Sequence, residues 1–287
     1  MSEVLLQQLV NGLSVGFGYA LVALGLTLAF GVLHVINFAH GEIVMLGALS
    51  MVVAGKLGIP YVAALPLAAV VGVLVGWLVN AVAVEPLLPR ADGRTDILLT
   101  TFALGVLANQ LVLSTWGPAP ARVEGIPGAV TVGALSLSGQ RLFIIGASLV
   151  TLVVLERVLT KTRFGVEMRA IAQSSHAARV VGIDIRRVGR RTFLLAAGIA
   201  GFGGALLAPI TSYSPLLGQA VLLKAFVIVV LGGLGSPFGA VVCALLVGVL
   251  EAGLSLFFPE AVTAMVVYSL MILTLLVRPA GLLGRSL

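Results

Sequence analysis

Nine stretches of this chain are apolar for long enough to lie inside a lipid bilayer: residues 5–33, 41–56, 60–84, 97–115, 142–159, 191–212, 219–233, 236–258 and 261–277. A helix crosses a hydrocarbon core about 30 Å thick with about 20 such residues. The pattern therefore predicts an all-α, polytopic integral membrane protein of eight to nine transmembrane helices, built as a single transmembrane domain over residues 1–287. The stretches 41–56 and 219–233 are short and adjoin glycine-rich or polar residues. They are read as one or two short or discontinuous helices.

Composition closes off the other classes. Hydrophobic residues make up 60% of the chain and charged residues 10%, where a soluble domain carries about 25% charged residues. That excludes a soluble enzyme, a disordered segment and a nucleic-acid-binding domain. One cysteine, Cys243, excludes an intramolecular disulfide and any multi-cysteine metal site. The first Lys or Arg is Lys56, and Glu3 stands near the start, so the basic region of a cleavable signal is missing. The first apolar segment is expected to stay in the mature protein. The 35 glycines are spread along the apolar segments, as in closely packed membrane helices; an Ala/Gly/Val-heavy composition is the competing explanation.

The charge balance, 17 Lys+Arg against 11 Asp+Glu, sets orientation. Residues 157–191 carry nine basic side chains: Arg157, Lys161, Arg163, Arg169, Arg179, Arg186, Arg187, Arg190 and Arg191. Loop 85–96 adds Arg90 and Arg94, and the C-terminal tail adds Arg278 and Arg285. Basic residues accumulate on the cytoplasmic side, and nine crossings put all three segments there. Thirteen basic residues then lie inside and four, Lys56, Arg122, Arg141 and Lys224, elsewhere. The expected topology is N-terminus outside and C-terminus cytoplasmic. Loop 116–140 falls outside, with turn signals at Gly117-Pro118 and Pro127-Gly128 followed by a short alternating stretch that predicts a β-ribbon over 130–137. It serves either as a partner-docking element or as a cap over helix ends.

Catalytic patterns are missing. His40-Gly41-Glu42 has the H-x-E form of zinc deaminases but lacks the cysteine half. His34, His40 and His176 form no H-E-x-x-H pair, and the chain has no P-loop. The glycine-dense Gly232–Gly239 follows a membrane helix and not a strand, which rules out a dinucleotide fingerprint. Any ATP that drives this protein binds another polypeptide.

The remaining candidates are polar residues at membrane depth, where ionisable groups face the protein interior or an aqueous path. Asn37, His40, Glu42, Lys224 and Glu251 are the translocation-path candidates. Asn37 and His40 interrupt two hydrophobic runs, an arrangement transporters use for polar ligands. The alternatives are that Lys224 snorkels to the surface and that Glu42 complements a helix N-terminus. Asn80 and Asn109 are read as interhelical hydrogen-bonding groups. In the basic segment, Val166–Arg179 has no glycine or proline, and Gly182 offers a left-handed stop. The pattern predicts one short amphipathic helix with Arg169, Gln173 and His176 on one face and Met168, Ile171, Ala172 and Ala178 on the other. Such a helix docks into a partner groove or lies on anionic lipid.

Six blocks in order now carry a resemblance. They are Asn11-Gly12 with Gly18–Leu21, Ile36–Glu42, Thr162–Gly165 with Arg169-Ala170, Ala178 and Gly182-Ile183, Lys224–Phe226, Leu231–Pro237 with Gly239-Ala240, and Arg278–Arg285. In these the chain resembles the LivH-type permease subunits of ABC importers for branched-chain amino acids, over nearly its whole length. The resemblance implies a membrane permease and not an enzyme, paired with a second related permease subunit in a bacterial inner membrane. It further implies two cytoplasmic ATPase subunits that bind ATP and Mg, no cofactor in this chain, and an external binding protein that delivers Leu, Ile or Val. Residues 157–191 then resemble the cytoplasmic coupling loop, with Gly165, Glu167, Arg169, Ala170, Gln173, His176, Arg179 and Gly182 as its candidate coupling residues. This favours protein docking over lipid. Urea and short-chain amide permeases share a block much like Asn37–Glu42 and give the alternative substrate. An ion-coupled secondary transporter using Glu42, Glu251 and Lys224, or a passive channel, is the alternative class.

Overall fold

The computed structural model describes residues 2–90, 92–132 and 135–284; Arg285, assigned above to the cytoplasmic tail, lies outside the described residues. The elements run α1 (Ser2–Leu33), α2 (His40–Lys56), α3 (Tyr61–Val79) continuing into a π-helical turn (Asn80–Val84), and α4 (Gly93–Trp116). A hairpin of β1 (Ala129–Val132) and β2 (Leu135–Ser138) leads to α5 (Gly139–Lys161), α6 (Arg163–Gln173) and α7 (Ser175–Val180). Then come α8 (Ile185–Thr211), α9 (Leu217–Gly232), α10 (Pro237–Leu254) and α11 (Glu260–Val277).

The protein is thus an all-α polytopic membrane protein with one small ribbon. Among the described residues seven helices are long and apolar enough to cross a bilayer: α1, α3 with its π turn, α4, α5, α8, α10 and α11. Two shorter helices, α2 with 17 residues and α9 with 16, occupy the two stretches read as short. The ribbon forms as the alternation predicts, antiparallel with Val130 opposite Leu137. Its second strand is clamped to the bundle by Gln7, which donates to the Ser136 carbonyl at 2.9 Å and accepts from the Ser136 N–H at 3.2 Å.

Helices α1, α2 and α8 form the centre, and α1 lies against both α8 and α10. Leu21, Val44, Met45, Leu206 and Leu207 are fully enclosed there. By contrast α3, α4, α5 and α11 turn large apolar side chains outward, among them Leu74, Leu99, Phe102, Val150 and Leu273. In a bilayer this arrangement carries no penalty, because lipid tails solvate those side chains as well as protein does. Glycine marks the closest crossings. Gly12 of α1 and Gly248 of α10 face each other, and Gly47 of α2 sits against the Gly201 backbone of α8. Close packing therefore accounts for glycines at these crossings.

The basic segment corrects the sequence reading in two places. Helix α5 extends to Lys161 and α8 starts at Ile185, so Arg157, Lys161, Arg186, Arg187, Arg190 and Arg191 lie on spanning helices. Between them stand two short helices and not one, separated at Ser174, which is extended (φ −159°, ψ 107°). The cause is local competition by a serine side chain: Ser174 Oγ accepts from the Ala177 N–H at 3.2 Å and starts a new helix. His176 accordingly leaves the face of Arg169 and Gln173. The packed residues are Gly165, Met168, Ile171 and Ala178, while Ala172 is exposed. Gly182 adopts φ +83°, with its N–H on the Arg179 carbonyl and the Ile183 N–H on the Ala178 carbonyl, both at 3.0 Å. That is the paired Schellman stop expected of a glycine after a helix.

The glycine crossing gives a direct test. A Cβ at position 47 would fall 2.6 Å from the Gly201 Cα, whereas one at Gly55, on the same helix, meets nothing within 4 Å. Gly47→Val is expected to cost at least about 1–3 kcal/mol by overpacking. Gly55→Ala is expected to cost nothing. Thermal unfolding in detergent checks both.

Candidate translocation site

The site is built from two interruptions of helical structure. Helix α1 ends at Leu33, His34 takes φ +54°, and the chain stays non-helical until His40. The second break follows α8, where Ser212 takes φ +60° and α9 starts at Leu217. Among the described residues His34 and Ser212 are the only non-glycines at positive φ. Holding such a residue there costs roughly 1–3 kcal/mol, so the surrounding structure must over-determine it.

The first break satisfies its own backbone. Asn37 Oδ1 accepts from the Ala39 N–H at 3.0 Å, the Asn37 carbonyl accepts from the His40 N–H at 3.2 Å, and the Phe38 N–H donates to Thr101 Oγ1 of α4 at 3.2 Å. His40 Nε2 lies 3.0 Å from the Val22 carbonyl, which can only accept, so that nitrogen carries the proton. Val22 stands 11 residues before the end of α1, or about 16 Å back along the helix axis. Helix α2 therefore begins in the middle of the bundle and not at its face.

The second break brings α9 to the same depth. Tyr213 first pairs its backbone with Ala121, at 3.0 and 2.9 Å. The chain then turns inward, and a Cβ at Gly218 would fall 2.7 Å from the Gly41 carbonyl oxygen. The first turns of α2 and α9 thus meet backbone to backbone at mid-depth. Asn109 of α4 ties the second break down by donating to the Pro215 carbonyl at 2.7 Å.

Glu42 sits at this meeting point. It is 8% exposed, and its Oε2 has no hydrogen-bond partner. A Cβ at Gly218 would lie 3.1 Å from that oxygen, and one at Gly105 of α4 would lie 3.6 Å from Glu42 Cγ. The helix start returns only about 0.3–1 kcal/mol to a nearby carboxylate. Burying an unpaired charge costs several kcal/mol, roughly. The dipole alone does not account for a glutamate here. Tyr213 is fully buried two residues before Pro215, which Asn109 holds, and its hydroxyl also has no partner.

Lys224 and Glu251 behave differently. Lys224 Nζ lies 2.9 Å from Glu251 Oε1 and donates to the Tyr19 hydroxyl at 3.0 Å, with side chains only 18% and 14% exposed. The ammonium also stands 5.3 Å from the Tyr19 ring centroid. This cluster bolts α9 to α10 and α1, and Lys224 is held by it and does not snorkel. The five path candidates therefore separate into three sets. Asn37 and His40 are spent on backbone, Lys224 and Glu251 on each other, and Glu42 is left with a free oxygen. Sequence reasoning missed Tyr19, Thr101 and Tyr213, of which only Tyr19 stood in one of the quoted blocks. Asn109 reaches another helix as expected, at Met45 Sδ of α2 (3.9 Å), besides the Pro215 carbonyl of the break; Asn80 instead donates to Glu85 Oε2 at 3.3 Å, within its own turn.

The coupling candidates lie on one face of the bundle, together with Arg278. Arg169 folds back so that its guanidinium donates to the Leu159 carbonyl, closing the end of α5. Gln173, His176 and Arg179 are exposed. Asp184 caps α8, accepting from the Arg187 N–H at 3.0 Å. That bond, with the Arg187 and Arg186 charges, holds its carboxyl below the ordinary carboxylate range. On the opposite face a cavity of about 500 Å³ is lined by Met51, Lys56, Tyr61, Arg122 and Glu124, among others. Lys56 there lies 4.0 Å over the Trp116 ring.

Residues 8–275 match the family described as the branched-chain amino acid transport system permease component. The chain is 32% identical to the high-affinity branched-chain amino acid transport system permease protein BraD of Pseudomonas aeruginosa, covering 98% of this chain and 96% of that one. It has the same identity and coverage with the LivH permease protein of Escherichia coli. It is 29% identical to a probable LivH permease of Methanocaldococcus jannaschii, over 92% of this chain and 88% of that one. No solved structure matches.

The ion-pair cluster can be tested on its own. Lys224→Met leaves Glu251 buried without its partner and is expected to cost about 3–5 kcal/mol. The double variant Lys224→Met/Glu251→Leu is expected to recover most of that loss. Thermal unfolding of the single and double variants in detergent measures the difference.

Proposed function

The chain belongs to the branched-chain amino acid transport permease family, and from that premise we propose that it is the membrane-spanning subunit of an ATP-driven importer of leucine, isoleucine and valine. The observation that carries the reading is the pair of broken helices meeting at mid-depth with a buried carboxylate between them. A rigid structural bundle has no need of unwound backbone at that depth, whereas a transporter uses it to reach a polar ligand.

The rest of the assignment follows from where the charges lie. The face bearing α6, α7, Arg186–Arg191 and Arg278 is the cytoplasmic one by the positive-inside bias. That puts the N-terminus, the ribbon and the 500 Å³ cavity outside. An external binding protein delivers the amino acid to this outer face. On the inner face two ATPase subunits carry the nucleotide and its Mg, and a second permease subunit completes the path. Helices α6 and α7 form the coupling element. They are held by Thr162, which accepts from the Gly165 N–H at 3.1 Å, and by the Gly182 stop. Arg179, exposed in the last turn of α7, is its docking charge. Arg169 supports the element from within by closing α5.

Co-expression with the neighbouring transport components tests this. Purification in mild detergent is expected to recover two P-loop ATPase chains and a second permease. Proteoliposomes should take up labelled leucine only with ATP and the binding protein. Uptake that survives ATP depletion and collapses with an ion gradient would overturn the reading, and uptake of urea in place of leucine would reassign the substrate. Arg179→Glu is expected to weaken ATPase recovery at least several-fold while the protein still reaches the membrane; undiminished recovery removes the docking assignment.

A further inference from the structure

From the meeting of the two helix breaks we infer a recognition site for the ammonium group of the transported amino acid, formed by the Glu42 carboxylate and the Tyr213 hydroxyl. The inference rests on the import reading above and deepens it by naming the part of the substrate that this chain contacts.

Four buried side-chain polar atoms among the described residues have no hydrogen-bond partner: Thr27 Oγ1, Glu42 Oε2, Ser148 Oγ and Tyr213 OH. Two of the four, Glu42 and Tyr213, belong to the two breaks, one beside each interrupted helix. Asn109 ties the two segments together: it donates to the Pro215 carbonyl at 2.7 Å, two residues after Tyr213, and approaches Met45 Sδ at 3.9 Å, three residues after Glu42; Glu42 Oε2 and the Tyr213 hydroxyl are nonetheless left without partners. Buried polar groups are ordinarily satisfied, so two orphans on the two segments that meet here mark where a third group is received. Its charge follows from the inventory around it. The basic group on α9, Lys224, is already held by Glu251 and Tyr19. His40 spends its Nε2 proton on the Val22 carbonyl. Asn109 spends a donor on Pro215. The complement of a free carboxylate beside a hydroxyl is a compact donor of several hydrogens carrying positive charge, which is the description of an ammonium group.

The first turns of α2 and α9 stand beside the pair, but their first N–H groups are already spent, His40 on the Asn37 carbonyl and Leu217 on the Ser214 carbonyl, so the site addresses the ammonium end of the substrate. In the structure Gly41 and Gly218 are in backbone contact, so the site is closed. Receiving a substrate requires α2 and α9 to part at these two glycines. The absence of side chains there is what lets the closed form seal, and it puts Glu42 at the seam.

The test uses the assembled transporter with its binding protein in proteoliposomes. Glu42→Gln keeps the shape and removes the charge; Glu42→Asp keeps the charge; Tyr213→Phe removes one hydroxyl. Glu42→Gln is expected to assemble normally and to lower labelled-leucine uptake tenfold or more. Glu42→Asp should recover part of that loss, and Tyr213→Phe should lower uptake several-fold. Wild-type uptake by Glu42→Gln overturns the site. So does equal loss in Glu42→Gln and Glu42→Asp with failure to assemble, since shape and not charge would then matter. Failure of the unmodified transporter to move leucine would sink the import reading instead, and is seen in the same experiment without any variant.

Discussion

The constraint on which this fold depends is that a backbone group in lipid has no water to bond. Helices meet it internally, so a bundle of spanning helices needs nothing else. A chain that unwinds at depth must find partners from its neighbours, and that requirement fixes which helices sit at the centre. The first break survives because Asn37 turns back on Ala39 and Thr101 of α4 receives the Phe38 N–H. The second survives because Tyr213 pairs with Ala121 and Asn109 reaches Pro215. Both of those side chains, Thr101 and Asn109, come from α4. That helix has large apolar residues on its outer face, yet it holds both breaks through its inner one.

From this follows the distribution of charge inside the bundle. An ion pair buried in low dielectric is costly unless both members are well placed. Lys224 and Glu251 meet that demand, with the Tyr19 hydroxyl completing the lysine's contacts. Glu42 does not. The two acidic residues therefore differ in kind although both lie within apolar segments. One stabilises a three-helix junction. The other stands at a seam where two glycine backbones meet.

Much of the architecture was legible because hydropathy alone determines where lipid-facing helices lie. The short character of 41–56 and 219–233 was visible too, from the polar residues at their starts. What sequence could not give was depth. Nothing in the run from His34 to His40 says that the chain climbs back along α1 to Val22, because that distance is set by a contact between residues 18 apart in sequence. The coupling segment failed for a smaller reason. An unbroken run without glycine or proline reads as one helix, but Ser174 bonds its own downstream N–H and divides it. Side-chain capping of this kind turns on a single rotamer, which periodicity does not register.

The two positive-φ residues show why the breaks are more than defects. His34 and Ser212 each follow a long central helix, α1 and α8, and each precedes a short one. Helix α2 then leads toward Lys56 at one face, whereas α9 leads toward Gly233 and the C-terminal Ala280–Gly284 segment at the other. The two units are therefore related in form and opposite in direction. Inverted pairs of this sort give a transporter two ways to open around one fixed point, because moving either short helix exposes the same seam from a different side. The closest approach at the seam is between the backbones of Gly41 and Gly218, with the side chains of Leu222 and Glu42 beside them. The anchors on either side, the Lys224 cluster on α9 and the His40 bond on α2, keep the remainder of each helix in place. A seam of facing glycines, flanked by firm anchors, is where this bundle can yield without losing its fold.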